Sequence, residues 1–267
     1  MRLATLMYPI LFRLGPVEVS SFGAAMALGA VIGYWLFARE LERAGLPKSA
    51  TDAAIYGLAG GLVGAKLLWV GEHFGEDRFL SLLLTRGGMS WFGGLVGGVV
   101  MGGGVLLLRS LPILPALAAA TPAFALGHLV GRIGCFMVGD DYGRPSDLPW
   151  AVAFPHGVPP TYVPVHPTQL YEAMGLAVLG WFLFRWRRAH VSDDQVLGRY
   201  LLISGAMRFA IEFVRVNERV IWGLTVAHLV SLCLVAVGAA MILAERTIAN
   251  PAVDLGRQPE ATVREVR

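Results

Sequence analysis

Long apolar segments recur along this chain and restrict it to folds that are compatible with a lipid bilayer. A helix needs about 20 mostly apolar residues to cross the hydrocarbon core. Seven such segments cover residues 18–38, 52–71, 88–108, 114–135, 168–186, 197–214 and 221–243. Because 55% of the residues are hydrophobic and 15% are charged, an ordinary soluble domain is excluded. The sequence therefore predicts an all-α integral membrane protein with about seven transmembrane helices.

Glycine is concentrated inside the apolar segments, as in the runs GLAGGLVGAK and FGGLVGGVVMGGG. Small residues let membrane helices approach one another closely, so these runs predict tight helix packing. Ten-residue segments of alternating hydrophobicity, which are typical of outer-membrane barrels, do not recur in the sequence. The sequence indicates no strands.

The basic residues predict how the helices are oriented in the membrane. The densest basic cluster next to an apolar segment is RWRR, which contains Arg185, Arg187 and Arg188. Under the positive-inside rule this cluster is cytoplasmic, so the N-terminus lies outside and the C-terminus inside. Since this topology accounts for the net charge of +3, the charge does not suggest a nucleic-acid partner.

We divide the chain into a membrane domain, residues 1–246, and a polar tail, residues 247–267, which is predicted to be disordered and cytoplasmic. Residues 1–16 are interpreted as an interfacial segment and not a cleavable signal, because Arg13 interrupts the apolar run. Residues 138–167, rich in Pro, Gly and Asp, form the only long non-membrane stretch in the middle of the chain. We expect this stretch to be an external loop over the membrane.

The segment GRIGCFMVGDDYGR, residues 131–144, follows directly on an apolar helix and carries several charges. A charge inside the membrane costs about 2.5–3.5 kcal/mol on insertion scales, so charges there are rare and usually functional. Arg132 alone has a simpler explanation, in which its side chain extends to lipid headgroups. Residues elsewhere in the chain are needed to distinguish a functional Arg132 from one that only extends to headgroups.

A second charged group, Arg208, Glu212 and Arg215, lies in the sixth apolar segment. Spacings of four and three residues place all three on one helix face, where Glu212 can pair with either arginine. One interpretation is a self-neutralised row of ion pairs. The other is that a guanidinium not used by Glu212 binds a phosphate, which together with Arg132 favours an anionic phospholipid headgroup.

The cysteines and histidines give weaker signals. Cys135 and Cys233 do not form a disulfide framework, and no Cys or His pair has the spacing of metal ligands. Cys135 is either a packing residue or a thiol activated by the nearby Arg132. His128, one turn before Arg132, and His228 are either packing residues or proton acceptors.

Several motifs in order along the chain resemble the prolipoprotein diacylglyceryl transferase family. They are GRIGCFMVGDDYG, the FP of residues 154–155, HPTQLYEA of residues 166–173 and MRFAIEFVR of residues 207–215. GPVEVSSFG of residues 15–23 and GGMSWFGGLVGG of residues 87–98 also agree, so the resemblance runs from about residue 14 to 243.

The resemblance implies a seven-span inner-membrane enzyme whose active site opens to the outer leaflet and the periplasmic face. Such enzymes transfer a diacylglyceryl group from phosphatidylglycerol to the lipobox cysteine of a prolipoprotein and release glycerol phosphate. It implies neither a cofactor nor a metal. The alternative is a non-catalytic or re-specialised phospholipid-binding membrane paralogue.

The resemblance also implies roles for individual residues. Arg132 and Arg208 match arginines that would hold phosphate, Asp140 stands where the family usually has glutamate, and Gly143 matches the closing glycine of the first motif. The residues predicted to take part in catalysis are Asp140, Glu212, Arg208 and His128. Those predicted to bind substrate are Arg132, Gly143, Arg215, Asp141, Cys135, Phe22, Phe92 and His166.

This chain departs from the family at four polar positions. Cys135 and Val138 replace two asparagines, Phe22 replaces a tyrosine, and Phe92 replaces a histidine or tyrosine. Possible substitutes for the missing polar groups are His128, Asp141 and Tyr142, and Asp141 adds a carboxylate suited to general-base catalysis.

Overall fold

The seven apolar segments form seven long helices in a computed structural model, which describes residues 8–15, 17–85 and 88–249. These helices are α1 (Ser21–Arg43), α2 (Asp52–Glu72), α4 (Trp91–Leu108), α5 (Ile113–Val138), α6 (Thr168–Arg188), α7 (Asp193–Glu212) and α8 (Val226–Ala249). A short helix that the sequence did not predict, α3 (Phe79–Leu84), lies in the connection between α2 and α4.

Within the described residues, four helical segments are long and apolar enough to cross a membrane: α1, Lys48–Glu72, α5 and Val226–Ala244. The apolar part of α4 is shorter, Phe92–Leu108. Helices α6 and α7 are less apolar because charged residues lie along them, including Glu172 and Arg208. The helical membrane class is confirmed, whereas the number of seven crossings stays a prediction.

The expectation that the chain has no strands is wrong. Strands β1 (Ile10–Leu14) and β2 (Val17–Ser20) form an antiparallel pair before α1, and β3 (Val152–Phe154) pairs with β4 (Thr161–Val165) between α5 and α6. Each strand has three to five residues. The ten-residue alternation of membrane barrels does not describe segments this short, and four residues such as VEVS alternate too briefly to stand out in the sequence.

The predicted ends of the membrane domain agree only in part with the structure. Residues 1–7 and 16 of the predicted interfacial segment lie outside the described residues, and residues 10–14 form β1. At the other end α8 continues to Ala249, beyond the predicted boundary at residue 246. Residues 250–267 of the predicted tail lie outside the described part of the chain.

Side-chain contacts show which helix ends lie together. At one end, Arg187 of α6 pairs with Glu40 of α1, and Arg109 after α4 pairs with Asp52 of α2. At the other end, the start of α8 contacts the end of α7, because the Thr225 hydroxyl donates to Glu212. Arg43 and Arg109 therefore lie at the same end as Arg187 of the predicted cytoplasmic cluster, opposite Glu212.

Helices α2 and α4 pack along a seam of glycines. A Cβ atom added at Gly64 would collide with the Gly93 carbonyl oxygen, and one added at Gly97 would collide with the carbonyl oxygen of Gly60. The two backbones therefore approach so closely that no larger residue fits between them, as the glycine runs predicted. This seam holds the pair together beside the helices that carry the charged motifs.

We expect Gly97→Ala to lower the free energy of unfolding by about 1–3 kcal/mol, the usual cost of overpacking. Gly103→Ala, in the same helix, is the matched control because a Cβ there has no neighbour within 4 Å. Thermal unfolding in detergent, followed by circular dichroism, measures both. Equal stability of the two variants would contradict the close contact between α2 and α4.

Candidate active site

Three arginines converge on one buried carboxylate, that of Glu172 in α6. Arg132 of α5 contacts Glu172 Oε2 through Nε. Arg208 of α7 and Arg215, three residues after α7, place their Nη1 atoms 3.5 and 3.7 Å from Glu172 Oε1. Glu172 is 1% exposed, so its charge is compensated by protein groups and not by solvent.

The first turn of α6 is tied to the loop that follows α5. The Thr168 hydroxyl donates to the Asp141 carbonyl oxygen at 2.7 Å, and the Gln169 amide donates to the carbonyl oxygen of Asp140. Thr168, Gln169 and Glu172 are all buried. The HPTQLYE motif thus fixes the position of the loop with two side chains and supplies the central carboxylate with a third.

Asp141 links two of the arginines. Its Oδ2 atom lies 2.8 Å from Arg132 Nη1, and its Oδ1 atom lies 2.6 Å from Arg215 Nη2. The backbone of Asp141 is left-handed, with φ of 60°, which is uncommon for a residue other than glycine. Desolvation raises the pKa of Asp141, but the guanidinium groups of Arg215 and Arg132 outweigh it and hold that pKa below its ordinary value.

Glu212, the last residue of α7, is held from both sides. Its Oε2 atom lies 2.6 Å from Arg208 Nη1, and its Oε1 atom accepts from Asn217 at 2.6 Å and from the Thr225 hydroxyl at 2.7 Å. Thr225 also precedes α8 and exchanges reciprocal capping hydrogen bonds with His228, whose Nδ1 lies 3.2 Å from the Thr225 amide nitrogen. His228 therefore positions the group that holds Glu212.

Gly143 is required by the close approach of two loops. Its amide donates to the His166 carbonyl oxygen at 2.9 Å, and a Cβ there would lie 2.5 Å from the Val214 carbonyl oxygen. The next residue, Arg144, donates its amide to the same Val214 carbonyl at 2.8 Å. These contacts bring the segment after α7, and with it Arg215, against the loop that carries Asp141.

The ring of His166 points away from the arginines. Its Nδ1 atom lies 3.2 Å from the Tyr171 hydroxyl, which accepts a hydrogen bond from Trp150 at 2.8 Å. All three side chains line an apolar cleft that Met174 and Ile211 also border. The structure therefore places the predicted substrate-binding side chain of His166 beside the charged cluster and not within it.

His128 and Cys135 both contact Arg132. The Nε2 atom of His128 accepts from Arg132 Nε at 3.1 Å, and the Cys135 sulfur lies 3.9 Å from Arg132 Nη1. The lone pair of His128 is therefore already engaged by Arg132. The polar surroundings of Arg132 come from His128 and Asp141, two of the residues named as substitutes for the missing asparagines.

Asp140 differs from the other carboxylates of the cluster. Glu172, Glu212 and Asp141 each pair with an arginine, whereas no arginine of the described residues lies within 4.0 Å of Asp140. Among the described residues its buried Oδ1 atom has no hydrogen-bond partner, which is also true of both Glu172 oxygens and of Glu212 Oε2, but those carboxylates have an arginine partner. Burial raises the pKa of Asp140.

A metal ion is poorly suited to this corner of the site. One ligand atom each of Cys135, Asp140 and Asp141 lie within 4.8 Å of one another. Both Asp141 oxygens already contact guanidinium groups, so a cation would have to displace them and would be repelled by their charge. The expectation of no metal stays a prediction.

Phe22 and Phe92, which stand at two of the positions where this chain is predicted to depart from its family, belong to different pairs of packed helices. Phe22, in the first turn of α1, packs against α5, because a Cβ added at Gly134 would lie 3.4 Å from its Cα atom. It is therefore next to the turn that carries Cys135. Phe92 lies in the first turn of α4, whose main packing partner is α2. A contact of either ring with substrate stays a prediction.

Arg208 presents the most accessible guanidinium of the three. Its side chain is 25% exposed, compared with 15% for Arg132 and 6% for Arg215. Among the described residues, only its Nη1 atom contacts carboxylates. A planar guanidinium with N–H groups still open is well suited to a phosphate.

Sequence reasoning missed Glu172, although it quoted the motif that contains it. The available signal was an acidic residue inside the apolar segment 168–186, where an unpaired charge is costly. Asn217 and Thr225 were also missed, and they had no comparable signal because both are common polar residues in a loop between two helices.

Comparison with known proteins gives a consistent result. The family model for prolipoprotein diacylglyceryl transferase matches residues 9–244. Phosphatidylglycerol–prolipoprotein diacylglyceryl transferase of Rhodospirillum rubrum is 32% identical, over 93% of this chain and 96% of its own length. The proteins of the same name from Methylococcus capsulatus and Pseudoalteromonas translucida are 32% and 34% identical, over 79% and 78% of this chain and 82% and 79% of their own lengths. The chain therefore belongs to the prolipoprotein diacylglyceryl transferase family.

Proposed function

We propose that this protein transfers the diacylglyceryl group of phosphatidylglycerol to the lipobox cysteine of a prolipoprotein and releases glycerol phosphate. The observation that carries the proposal is the cluster of Arg132, Arg208 and Arg215 at one end of the helices. Guanidinium groups in such a place can bind the lipid phosphate and stabilise the charge that it gains as the leaving group.

In the proposed reaction the thiol sulfur of the acceptor attacks a glycerol carbon of the diacylglyceryl group. The new carbon–sulfur bond forms as the carbon–oxygen bond to the phosphate breaks, and glycerol phosphate leaves with the bonding electrons. Arg208, with its open N–H groups, and Arg132 bind the phosphate oxygens. The site must hold lipid and thiol together, because fixed orientation supplies much of the rate enhancement in such a displacement.

Asp140 is the proposed base that takes the thiol proton. It is the cluster carboxylate that is not committed to an arginine, and one of its buried oxygens has no hydrogen-bond partner. Glu212, by contrast, is engaged by Arg208, Asn217 and Thr225, so its proposed role is to hold Arg208 in position. His128 similarly orients Arg132.

The proposed setting is the bacterial inner membrane, crossed seven times, with the N-terminus outside and the C-terminus inside. The basic residues Arg43, Arg109 and Arg187 lie at the helix ends opposite the cluster, which supports a cytoplasmic location for them under the positive-inside rule. The site would then face the periplasm and the outer leaflet, where its lipid donor and the prolipoprotein signal peptide are accessible.

Transfer of labelled diacylglyceryl from phosphatidylglycerol to a lipobox peptide tests the function. We expect Arg132→Ala and Arg208→Ala each to lower the rate by about 10²–10³-fold, since each removes charge stabilisation of the leaving group. Arg109→Ala is the control, because Arg109 pairs at the opposite end with the exposed Asp52. Lipid binding without transfer by the wild-type protein would instead favour the non-catalytic alternative.

The pH dependence of transfer tests Asp140. A raised pKa means that the carboxylate becomes protonated at a higher pH than usual, so the rate should fall as the pH decreases through that value. We expect this acid limb to lie above the ordinary carboxyl pKa of about 4. In the Asp140→Asn variant the transfer rate should be low, and its decrease at acidic pH should be absent. An unchanged limb in that variant would assign the titration to another group.

Glu172→Gln tests the central carboxylate. The substitution leaves three guanidinium groups with one less negative charge in a buried place, so we expect the free energy of unfolding to fall by about 3–5 kcal/mol. Glu76→Gln, at an exposed position after α2, should change it little. Unfolding by denaturing detergent measures both variants, and equal stability would mean that Glu172 does not hold the cluster together.

A further inference from the structure

The ion-paired charges of the arginine cluster already balance without a ligand, and Asp140, the proposed base, adds a further negative charge when it is ionised. The three guanidinium groups of Arg132, Arg208 and Arg215 face the three carboxylates of Glu172, Glu212 and Asp141. A phosphate that binds these arginines brings additional negative charge next to carboxylates, of which Glu172 and Glu212 are buried. Arg208 has N–H groups that contact no carboxylate of the described residues, but a phosphate can take the contacts of Arg132 and Arg215 only where a carboxylate gives them up.

Two of the three carboxylates are poorly placed to move. Glu172 is 1% exposed and contacts all three arginines. Glu212 is 2% exposed and accepts hydrogen bonds from Asn217 and Thr225 in addition to its ion pairs. Displacing either would leave a buried charge without partners, which is costly.

The Asp141 side chain differs from those of Glu172 and Glu212 in its exposure and in its number of partners. Its side chain is 46% exposed, so its carboxylate can turn into solvent and be hydrated there. Among the described residues, its oxygens are held only by Arg132 and Arg215, at 2.8 and 2.6 Å. The hydrogen bond from the Thr168 hydroxyl fixes its backbone carbonyl, so the side chain can move while the loop stays in place.

We propose that the Asp141 carboxylate is an internal competitor for the phosphate: it occupies Arg132 and Arg215, is displaced by the phosphodiester of the donor lipid, and returns to expel glycerol phosphate. The inference rests on the proposed function, because that function supplies the ligand. It assigns to Asp141 the release of product, and not proton transfer.

The charge of the product explains why such a competitor is useful. The phosphodiester of phosphatidylglycerol carries one negative charge, whereas the phosphate monoester that leaves carries about −1.5 to −2 at neutral pH. Three guanidinium groups therefore bind the product more strongly than the donor. A carboxylate that competes for two of them weakens the binding of both, and it shortens the time for which product blocks the site.

Asp141→Asn and Asp141→Gly remove the competing charge while keeping the backbone conformation accessible, since both residues tolerate a positive φ. Asp147→Asn, at an exposed position in the same loop, is the matched control. The probes are glycerol phosphate, inorganic phosphate and micelles of phosphatidylglycerol or phosphatidylcholine. Calorimetric titration of the full-length protein measures binding, and the transfer assay measures kcat and KM.

We expect glycerol phosphate to bind about tenfold more tightly to both Asp141 variants than to the wild type and the Asp147 control, with kcat and the KM for phosphatidylglycerol both lowered. We expect inorganic phosphate to bind as tightly as glycerol phosphate. This result would show that the protein binds the phosphate group and not the glycerol, which supports competition between the phosphate and the Asp141 carboxylate. Unchanged or weaker glycerol phosphate binding in folded Asp141 variants would overturn the inference and make Asp141 an organiser of the arginines.

If the proposed function is wrong, the binding measurements give a different result. Glycerol phosphate and phosphatidylglycerol would then bind neither the wild type nor the Asp141 variants, or would bind equally well after Arg208→Ala. Either result overturns both proposals. Phosphate binding that is lost in Arg208→Ala but is not strengthened in Asp141→Asn overturns only the role of Asp141.

Discussion

Compensation of charge around Glu172 is the interaction on which the rest of the site depends. Its buried carboxylate contacts guanidinium groups from α5, α7 and the segment after α7, so one side chain joins three parts of the chain. Opposite charges attract strongly where water is excluded, and an unpartnered charge there is costly. The arginines can be kept charged in this partly buried place because this carboxylate, with Glu212 and Asp141, neutralises them.

The loops are arranged so that this compensation is possible. Thr168 and Gln169 hold the loop after α5 by its carbonyl groups, and Gly143 lets that loop lie against the segment that carries Arg215. Thr225 reaches across from the start of α8 to hold Glu212. The motifs of residues 131–144, 166–173 and 207–215 thus serve the cluster through backbone contacts as well as through their charged side chains.

One of the positions predicted to depart from the family, Cys135, lies beside Arg132, with its sulfur 3.9 Å from Arg132 Nη1. Arg132 also contacts Glu172, His128 and Asp141. Under the proposed function, the Asp141 carboxylate that bridges Arg132 and Arg215 changes how strongly donor and product are held. The same fold can therefore support the reaction of the family with a different balance between lipid binding and product release.

Four properties could be predicted from the residues alone: the membrane class, the seven helices to within six residues at their ends, the shared face of Arg208 and Glu212, and the family. Hydrophobicity and helical spacing are local properties, so they can be found in a single chain. The three-dimensional arrangement was needed to find that Glu172 lies at the centre, that Asp141 bridges two arginines, and that two strand pairs form. These contacts join residues far apart in sequence, and their distances depend on how helices and loops pack.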